Sequence, residues 1–510
     1  MKILIVYPNL PLMLIPAMTV GIFTAIIKEE NAECDLFETT AYTNDIKSNM
    51  GIKAKLGNGR IHEYDTIEPL PMAQAIPDFV KKVKDYNPDL LLFSVVEDTW
   101  NDTLNLLESV SHLDIPHIIG GVFPINAPEV CISHPLVKVI SRYEGENVLR
   151  DVIKGYDWAS IDGIWYKKDQ HVIKNKPQPL ADLNSIIPDY SLYDPKRFRR
   201  PMGKRVVRSI QLETYRGCPY SCTFCNSPMT RKMNKNFLRR KSLAQVKKEL
   251  DYYVENYDPE YWFIIDDSFL ARPRAETFKL LELIEEYGIP WWCNTRLENV
   301  DAELLSAMKK AHCDRISFGI ECGNEEYRRD VLKRNITNKT YLEKAEVLNN
   351  SDIPYSLNII LGMPFETKDL IFETIELIQN IGGYDGLGIS IFIPYHGTDL
   401  RSISVENGFI ENGWISRSGL QSGMALKMPK EYIQKDELDH LVDRVKHLCY
   451  FDKYYWDDII HATDLSFFDE IYEKEFYRSD SDISGKSKIL NRKKSIWACS
   501  ADTYADVYEI

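Results

Sequence analysis

Three cysteines stand close together in Glu213-Thr-Tyr-Arg-Gly-Cys218-Pro-Tyr-Ser-Cys222-Thr-Phe-Cys225, with three and then two residues between them. A loop of that length wraps three thiolates around one inorganic centre. Iron–sulfur clusters take cysteine thiolates, most often four. Three would leave one iron open to a substrate or cofactor. Zinc is the competing reading, but zinc sites usually close with four ligands, and no histidine lies near this loop. Ten cysteines in 510 residues are far too few for a disulfide scaffold, so reduced thiols in a cytoplasmic setting are expected. Cys34 and Cys131 stand far apart and read as core thiols.

Other chemistry-bearing residues lie at the ends of apolar runs. Asp266 and Asp267 close Phe263-Ile-Ile-Asp-Asp267-Ser-Phe, and a carboxylate at a strand end suits an ammonium group or a structural cap. Arg296 closes Trp292-Cys-Asn-Thr-Arg296, where a guanidinium suits a carboxylate. Glu321 lies in Ser317-Phe-Gly-Ile-Glu321-Cys-Gly323, open to either a ligand or an ion pair. His396 reads as a hydrogen-bonding loop residue, with substrate acid–base work as the sharper alternative.

These residues need elements to hold them. The first 155 residues alternate short strands (Lys2 to Tyr7, Glu33 to Thr39, Asp89 to Val96, Pro116 to Gly121, Val137 to Ser141) with helical stretches (Met18 to Glu30, Met72 to Tyr86, Trp100 to Leu113). That pattern implies a doubly wound, Rossmann-like parallel sheet with its ligand at the carboxyl ends of the strands. Residues 43–72 read as a loop or insertion. Residues 156–204, rich in Pro and charge, read as a linker with a hairpin-like stretch. Alternation resumes over 205–404, with strands from Ser209, Tyr261, Trp291, Arg315, Tyr355 and Gly388. Six such strands suit a partial (β/α)6 barrel better than a closed eightfold one. Residues 405–510 read as mainly helical, with a core-facing aromatic run at Tyr450, Phe451, Tyr454, Tyr455 and Trp456.

Hydrophobic residues make up 44 % and charged residues 27 %, a globular balance. The 62 basic residues against 76 acidic give a formal charge of −14, without the basic footprint of a nucleic-acid binder. The best apolar run, Leu14 to Ile27, is too short to span a bilayer, and no transmembrane segment is expected.

The cysteine loop resembles that of the radical S-adenosylmethionine enzymes, C-x-x-x-C-x-aromatic-C, with Phe224 in the aromatic position. The resemblance implies a 4Fe–4S cluster on Cys218, Cys222 and Cys225, with S-adenosylmethionine on the open iron and Phe224 beside its adenine. It implies that Asp266 and Asp267 approach the methionine moiety, that Arg296 pairs with its carboxylate, and that Ser317 and Glu321 lie by the ribose or amine. Ile359-Ile-Leu-Gly362-Met-Pro364-Phe-Glu366-Thr367 is similar to the fifth-strand motif, whose backbone (Ile360, Gly362, Pro364) meets adenine. Phe392-Ile-Pro394-Tyr-His-Gly397-Thr398 resembles the sixth-strand close of the subgroup with an N-terminal cobalamin-binding domain; many relatives have Pro where His396 stands.

Tyr7-Pro-Asn9, Ser94-Val-Val-Glu97, Ile118-Ile-Gly-Gly121-Val-Phe-Pro124 and Tyr143-Glu-Gly-Glu146 resemble that cobalamin-binding domain. The resemblance gives Asn9, Ser94, Glu97, Gly120, Gly121 and Glu144 as cobalamin contacts, the glycines allowing close backbone approach. No Asp-x-His occurs there, so the lower cobalt face would be water or a non-histidine group. The implied enzyme is a cobalamin-dependent methyltransferase that acts on an unactivated carbon or phosphorus centre through a 5′-deoxyadenosyl radical and methylcobalamin. Its electron donor would be a flavodoxin or ferredoxin. Its substrate would be a small molecule, a lipid or a protein side chain, covered by the C-terminal region. The alternatives are a radical enzyme without cobalamin that forms carbon–carbon bonds, cyclises or rearranges, and a non-enzymatic iron–sulfur sensor. A methylthiotransferase fits poorly, because its N-terminal domain needs a second cysteine triad.

Overall fold

The computed structural model describes residues 1–476 apart from 12, 14, 45–66, 170, 203–204 and 418–422. The expected insertion at 43–72 and the end of the C-terminal region therefore lie largely outside the described residues. The described chain forms two compact bodies. The first takes residues up to Asp267 together with 393–417 and 423–425; the second takes 268–392 and 426–476.

In the first body, β1 (Lys2–Tyr7), β2 (Glu33–Glu38), β3 (Leu90–Ser94), β4 (His117–Gly120), β5 (Val139–Ser141), β6 (Ile164–Lys168) and β7 (His171–Lys174) form one sheet in the order β2-β1-β3-β4-β5-β6-β7. The first five strands are parallel. β3 is buried along its whole length, as a strand covered on both faces must be. β6 and β7 add an antiparallel hairpin at one edge, so the expected linker begins as part of this sheet. Strand order reverses between β1 and β3, the switch point where doubly wound sheets open a crevice at their carboxyl ends. Asn9 follows β1 there, and Val95 to Glu97 follow β3.

The same body continues through β8 (Arg199–Met202), β9 (Arg205–Leu212), the short pair β10 (Tyr215–Arg216) and β11 (Arg239–Arg240), and β12 (Tyr261–Ile264). β9 pairs antiparallel with β8 and parallel with β12. The expected boundary near residue 205 is thus not where compactness divides the chain; side-chain ties described below hold β9 to β12 with the first sheet.

The second body carries β13 (Trp291–Thr295), β14 (Cys313–Glu321), β15 (Tyr355–Leu361) and β16 (Gly386–Ile391), all parallel and in sequence order. β15 alternates: Tyr355, Leu357, Ile359 and Leu361 are fully buried, while Ser356, Asn358 and Ile360 are half-buried. Period two makes one face apolar and leaves the other to polar groups. Helix Lys368–Ile381 starts on Thr367, whose hydroxyl accepts from Leu370 N–H, a standard N-cap. Helix Lys435–Tyr450 closes its start with a Gln434–Glu437 capping box. Phe451 and Trp456 are buried as expected, but Tyr454 is 81 % exposed, because it falls in a 3-10 turn that breaks the helical period.

Candidate active site

In the first body the cysteine loop leaves β10 through Gly217, whose φ of +94° and contact with Phe237 (2.9 Å from an added Cβ) exclude other residues. Asp266, 1 % exposed, fixes the strand end before it. Its Oδ1 accepts from the backbone N–H groups of Thr214 (2.7 Å) and Tyr215 (3.0 Å), and its Oδ2 from the Thr214 hydroxyl (2.5 Å). Through these hydrogen bonds Asp266 holds the start of the loop in place. Asp267 is the exposed member of the pair and accepts from the Ser227 hydroxyl at 2.9 Å.

Cys218, Cys222, Cys225 and Phe224 are each partly exposed, and none of the three cysteines is in a disulfide. Arg231 braces the loop by donating to Cys218 O at 3.0 Å and Ser221 Oγ at 2.8 Å. Burial, then the negative charge of Asp267 and of the other two thiols, pushes the Cys218 thiol up to about 11, with a backbone donor opposing. Such a set needs a cationic centre to hold thiolates together. Among the described residues no three His, Cys, Asp or Glu side chains close on one point as a single metal ion requires.

The carboxyl edge of the first sheet holds the six residues expected to meet cobalamin, and they differ. Asn9 ties its own loop: its Nδ2 donates to Met13 O (3.0 Å) and Thr40 Oγ1 (2.9 Å), and its Oδ1 accepts from Leu10 N–H (2.9 Å). Gly121 (φ +101°) crosses β3 so closely that a Cβ would lie 2.5 Å from the N and O atoms of Val95, so backbone packing by itself requires it. Gly120 and Ser94 remain available: a Cβ on Gly120 meets only ordinary contacts, and Ser94 makes no side-chain hydrogen bond. Glu97 has both carboxylate oxygens occupied by residues 396 and 416. Glu144 accepts from Ala181 N–H (2.9 Å), Arg216 (2.9 Å) and Arg239. Each of these last two carboxylates joins one stretch of the protein to another.

Arg216, just before the cysteine loop, also meets Glu146 (2.7 Å) and Glu213 (2.9 Å). Burial pulls the carboxyls of Glu144 and Glu213 upward, but Arg216 together with Arg239, and Lys241 for Glu213, holds both below their usual value. On a neighbouring stretch Arg142 donates to Ile125 O (2.6 Å) and Met233 Sδ (3.4 Å).

In the second body Arg296, Glu321, Gly362 and Pro364 sit at or just past the carboxyl ends of β13 to β15, with Ser317 midway along β14. Arg296 pairs with Glu298 at 2.5 Å. Glu321 adopts φ +67° at a β-bulge and pairs with Arg334 at 2.9 Å, which also donates to Gly319 O. The Ser317 hydroxyl meets Ser356 Oγ (2.9 Å) and accepts from Asn358 Nδ2 (2.8 Å); Asn358 was not singled out from the sequence, although β-strand alternation puts it on the polar face. After β15 (Ile360 half-buried on it) the chain turns through Gly362 (φ +77°) and Phe365 (φ +64°). Glu366 accepts from Gly362 N–H (2.5 Å) inside that turn, and Pro364 O accepts from Tyr327 (2.6 Å). The C-terminal segment covers the turn: Ile433 N–H donates to Glu366 O at 2.8 Å, and Tyr432 packs edge-on against Phe365.

No helix among the described residues is long and apolar enough to cross a membrane. The radical SAM superfamily pattern matches residues 212–378. An uncharacterized methyltransferase of Pyrococcus horikoshii, PH0819, is 24 % identical over 380 residues, covering 72 % of this chain and 80 % of the relative. An anaerobic magnesium-protoporphyrin IX monomethyl ester cyclase of Rubrivivax gelatinosus is 25 % identical over 319 residues, 58 % of this chain and only 54 % of that protein; the chain thus matches about half the length of this relative. The solved radical S-adenosylmethionine methyltransferase TsrM of Kitasatospora setae, with cobalamin and a 4Fe–4S cluster bound, superposes with a TM-score of 0.63 at 15 % identity, over 98 % of this chain and 99 % of that one. That likeness gives the fold, a doubly wound sheet followed by a partial barrel. Residues 212–378 thus resemble the radical SAM superfamily, and the chain has the fold seen in TsrM.

Proposed function

We propose that the chain is a cobalamin-dependent radical S-adenosylmethionine methyltransferase that methylates an unactivated carbon or phosphorus centre. The observation that carries this reading is the cysteine loop built into the same body as a doubly wound sheet with an open switch point. Three thiols within one loop suit a cluster that takes cysteine thiolates. Bound there, the cluster supplies the electron that cleaves S-adenosylmethionine, and cobalamin carries the methyl group.

The chain's own residues would orient these groups. Cys218, Cys222 and Cys225 hold the cluster, and Phe224 lies against adenine. Asp267 is the accessible carboxylate for an ammonium group. The backbone at Ile360, Gly362 and Pro364 meets the adenine, and Ser317 the ribose. Gly120 and Ser94 line the cobalamin side, with Asn9 supporting its loop. The C-terminal segment covers the substrate, a small molecule, a lipid or a protein side chain. A flavodoxin or ferredoxin supplies electrons, and the enzyme works in the cytoplasm.

The test is an iron and cobalt assay, with an ultraviolet–visible spectrum, on protein reconstituted anaerobically with hydroxocobalamin. About four irons and one cobalt per chain are expected. Four irons without cobalt would overturn the methylcobalamin reading. A radical enzyme without cobalamin is the second reading, favoured by the protein partners that Glu97 and Glu144 already have.

A further inference from the structure

Two consecutive acids follow β3, and both are nearly buried: Glu97 is 5 % and Asp98 8 % exposed. Carboxylates at that depth are costly unless hydrogen-bonded. Their partners lie about three hundred residues further on, in the segment after the sixth barrel strand, which folds with the first body. Glu97 Oε2 accepts from His396 N–H at 2.9 Å and lies 3.0 Å from His396 Nδ1; its Oε1 accepts from Ser416 N–H at 3.1 Å. Asp98 accepts from the Tyr395 hydroxyl at 2.7 Å and from the Ser416 hydroxyl. Gly397 (φ +85°) presses against Asn126, 2.6 Å from an added Cβ, and the His396 ring meets Phe123 edge-on at 5.5 Å.

The segment between these anchors is braced from within. Arg401, 5 % exposed, donates to the carbonyls of Pro394 (2.8 Å), Asn412 (2.9 Å) and Trp414 (2.8 Å). The same segment reaches the cysteine loop. Leu400 N–H donates to Thr223 O at 2.9 Å, between Cys222 and Cys225, and Asp399 pairs with Lys232 at 3.1 Å.

We propose that Glu97 and Asp98 are positioning residues: through the strap 393–416 they hold the cysteine loop in register with the carboxyl edge of the first sheet. The chemical use of that register, aligning two cofactors with one substrate, rests on the function proposed above; the mechanical tie does not. Alignment matters because a misplacement of about 1 Å costs roughly a hundredfold in rate.

Hydrogen–deuterium exchange on the full, cluster-reconstituted chain tests this, with Glu97→Gln/Asp98→Asn and the milder Tyr395→Phe. In the double variant, peptides spanning 393–402 and 218–226 should both exchange about tenfold faster or more, as loss of charge-assisted hydrogen bonds predicts. Peptides from β15 should keep their rates, and iron content should stay at the wild-type level. Tyr395→Phe should move the same two peptides by less. Acceleration at 393–402 with 218–226 unchanged would overturn the proposal, as would no change in either. If every peptide accelerates, the double variant has unfolded and Tyr395→Phe decides by the same criterion. Where the wild type retains cobalt, the magnetic coupling between reduced cluster and Co(II) should also shift in Tyr395→Phe. A wild type without cobalt defeats the functional reading alone, because the exchange result still decides the tie.

Discussion

Glu366 is a carboxyl group without a counter-charge. It is fully buried, accepts backbone N–H groups from Gly362 and Met363 on Oε2, and has no partner on Oε1. Burial pushes its pKa up from 4.5 to about 8, and the two backbone donors offset only part of that. The native state therefore keeps a proton that the unfolded chain releases, and stability is full below pH 4.5 and falls as pH rises through about 8. Glu366→Gln removes this titration while keeping an acceptor for the turn. It should match wild-type stability to within about 1 kcal/mol at pH 4 and exceed it by on the order of 4–5 kcal/mol at pH 8.5. Urea unfolding at the two pH values checks this; parallel losses in both proteins would mean that Glu366 does not titrate in the fold.

At the scale of elements, the adjacent glycines that end β4 do different work. An added Cβ on Gly121 would strike the Val95 backbone at 2.5 Å, whereas on Gly120 it would rest 3.5 Å from Ser141 Cβ. Gly121→Ala should cost about 2–4 kcal/mol, from both the left-handed φ and the collision. Gly120→Ala should cost less than about 1 kcal/mol, and any loss of cobalamin binding there would come without loss of stability. Denaturant unfolding of both variants beside cobalamin titration separates packing from ligand approach. Equal losses would mean that the strand crossing relaxes.

At the scale of the molecule, Arg216 joins three stretches of chain: Glu144 and Glu146 after β5, Glu213 after β9, and the cysteine loop that begins two residues later. Its removal leaves buried carboxylates without their cation, so Arg216→Ala should lose about 3–5 kcal/mol at pH 7. Glu144 and Glu213 titrate below their usual value of 4.5 in the fold. Their contribution is present above pH 4.5 and lost as pH falls through the lowered values. The deficit of Arg216→Ala should therefore shrink in acid. Calorimetry from pH 7 down to about pH 2.5 checks the trend; a constant deficit would assign the loss to packing rather than charge.

The amino-acid sequence by itself determined what is local. Cys218, Cys222 and Cys225 lie within one loop, so their spacing is legible without a fold. Runs such as Leu90–Ser94 and Tyr355–Leu361 declare strands through apolar content and alternation, and their succession with helices leads to a doubly wound sheet and a partial barrel. Tertiary structure alone decided what each polar side chain faces. Asp266 and Glu97 carry the same charge whether they meet a ligand, a backbone turn or a strap three hundred residues away. The ion pairs of Glu144 with Arg216 and of Glu321 with Arg334 appear only in the folded chain. A carboxylate's partner is fixed by distance in space, and sequence separation does not encode that distance. The same reason hid the division of the chain: compactness follows contacts, and β9 to β12 with 393–417 belong to the first sheet's body through ties that no linear pattern records.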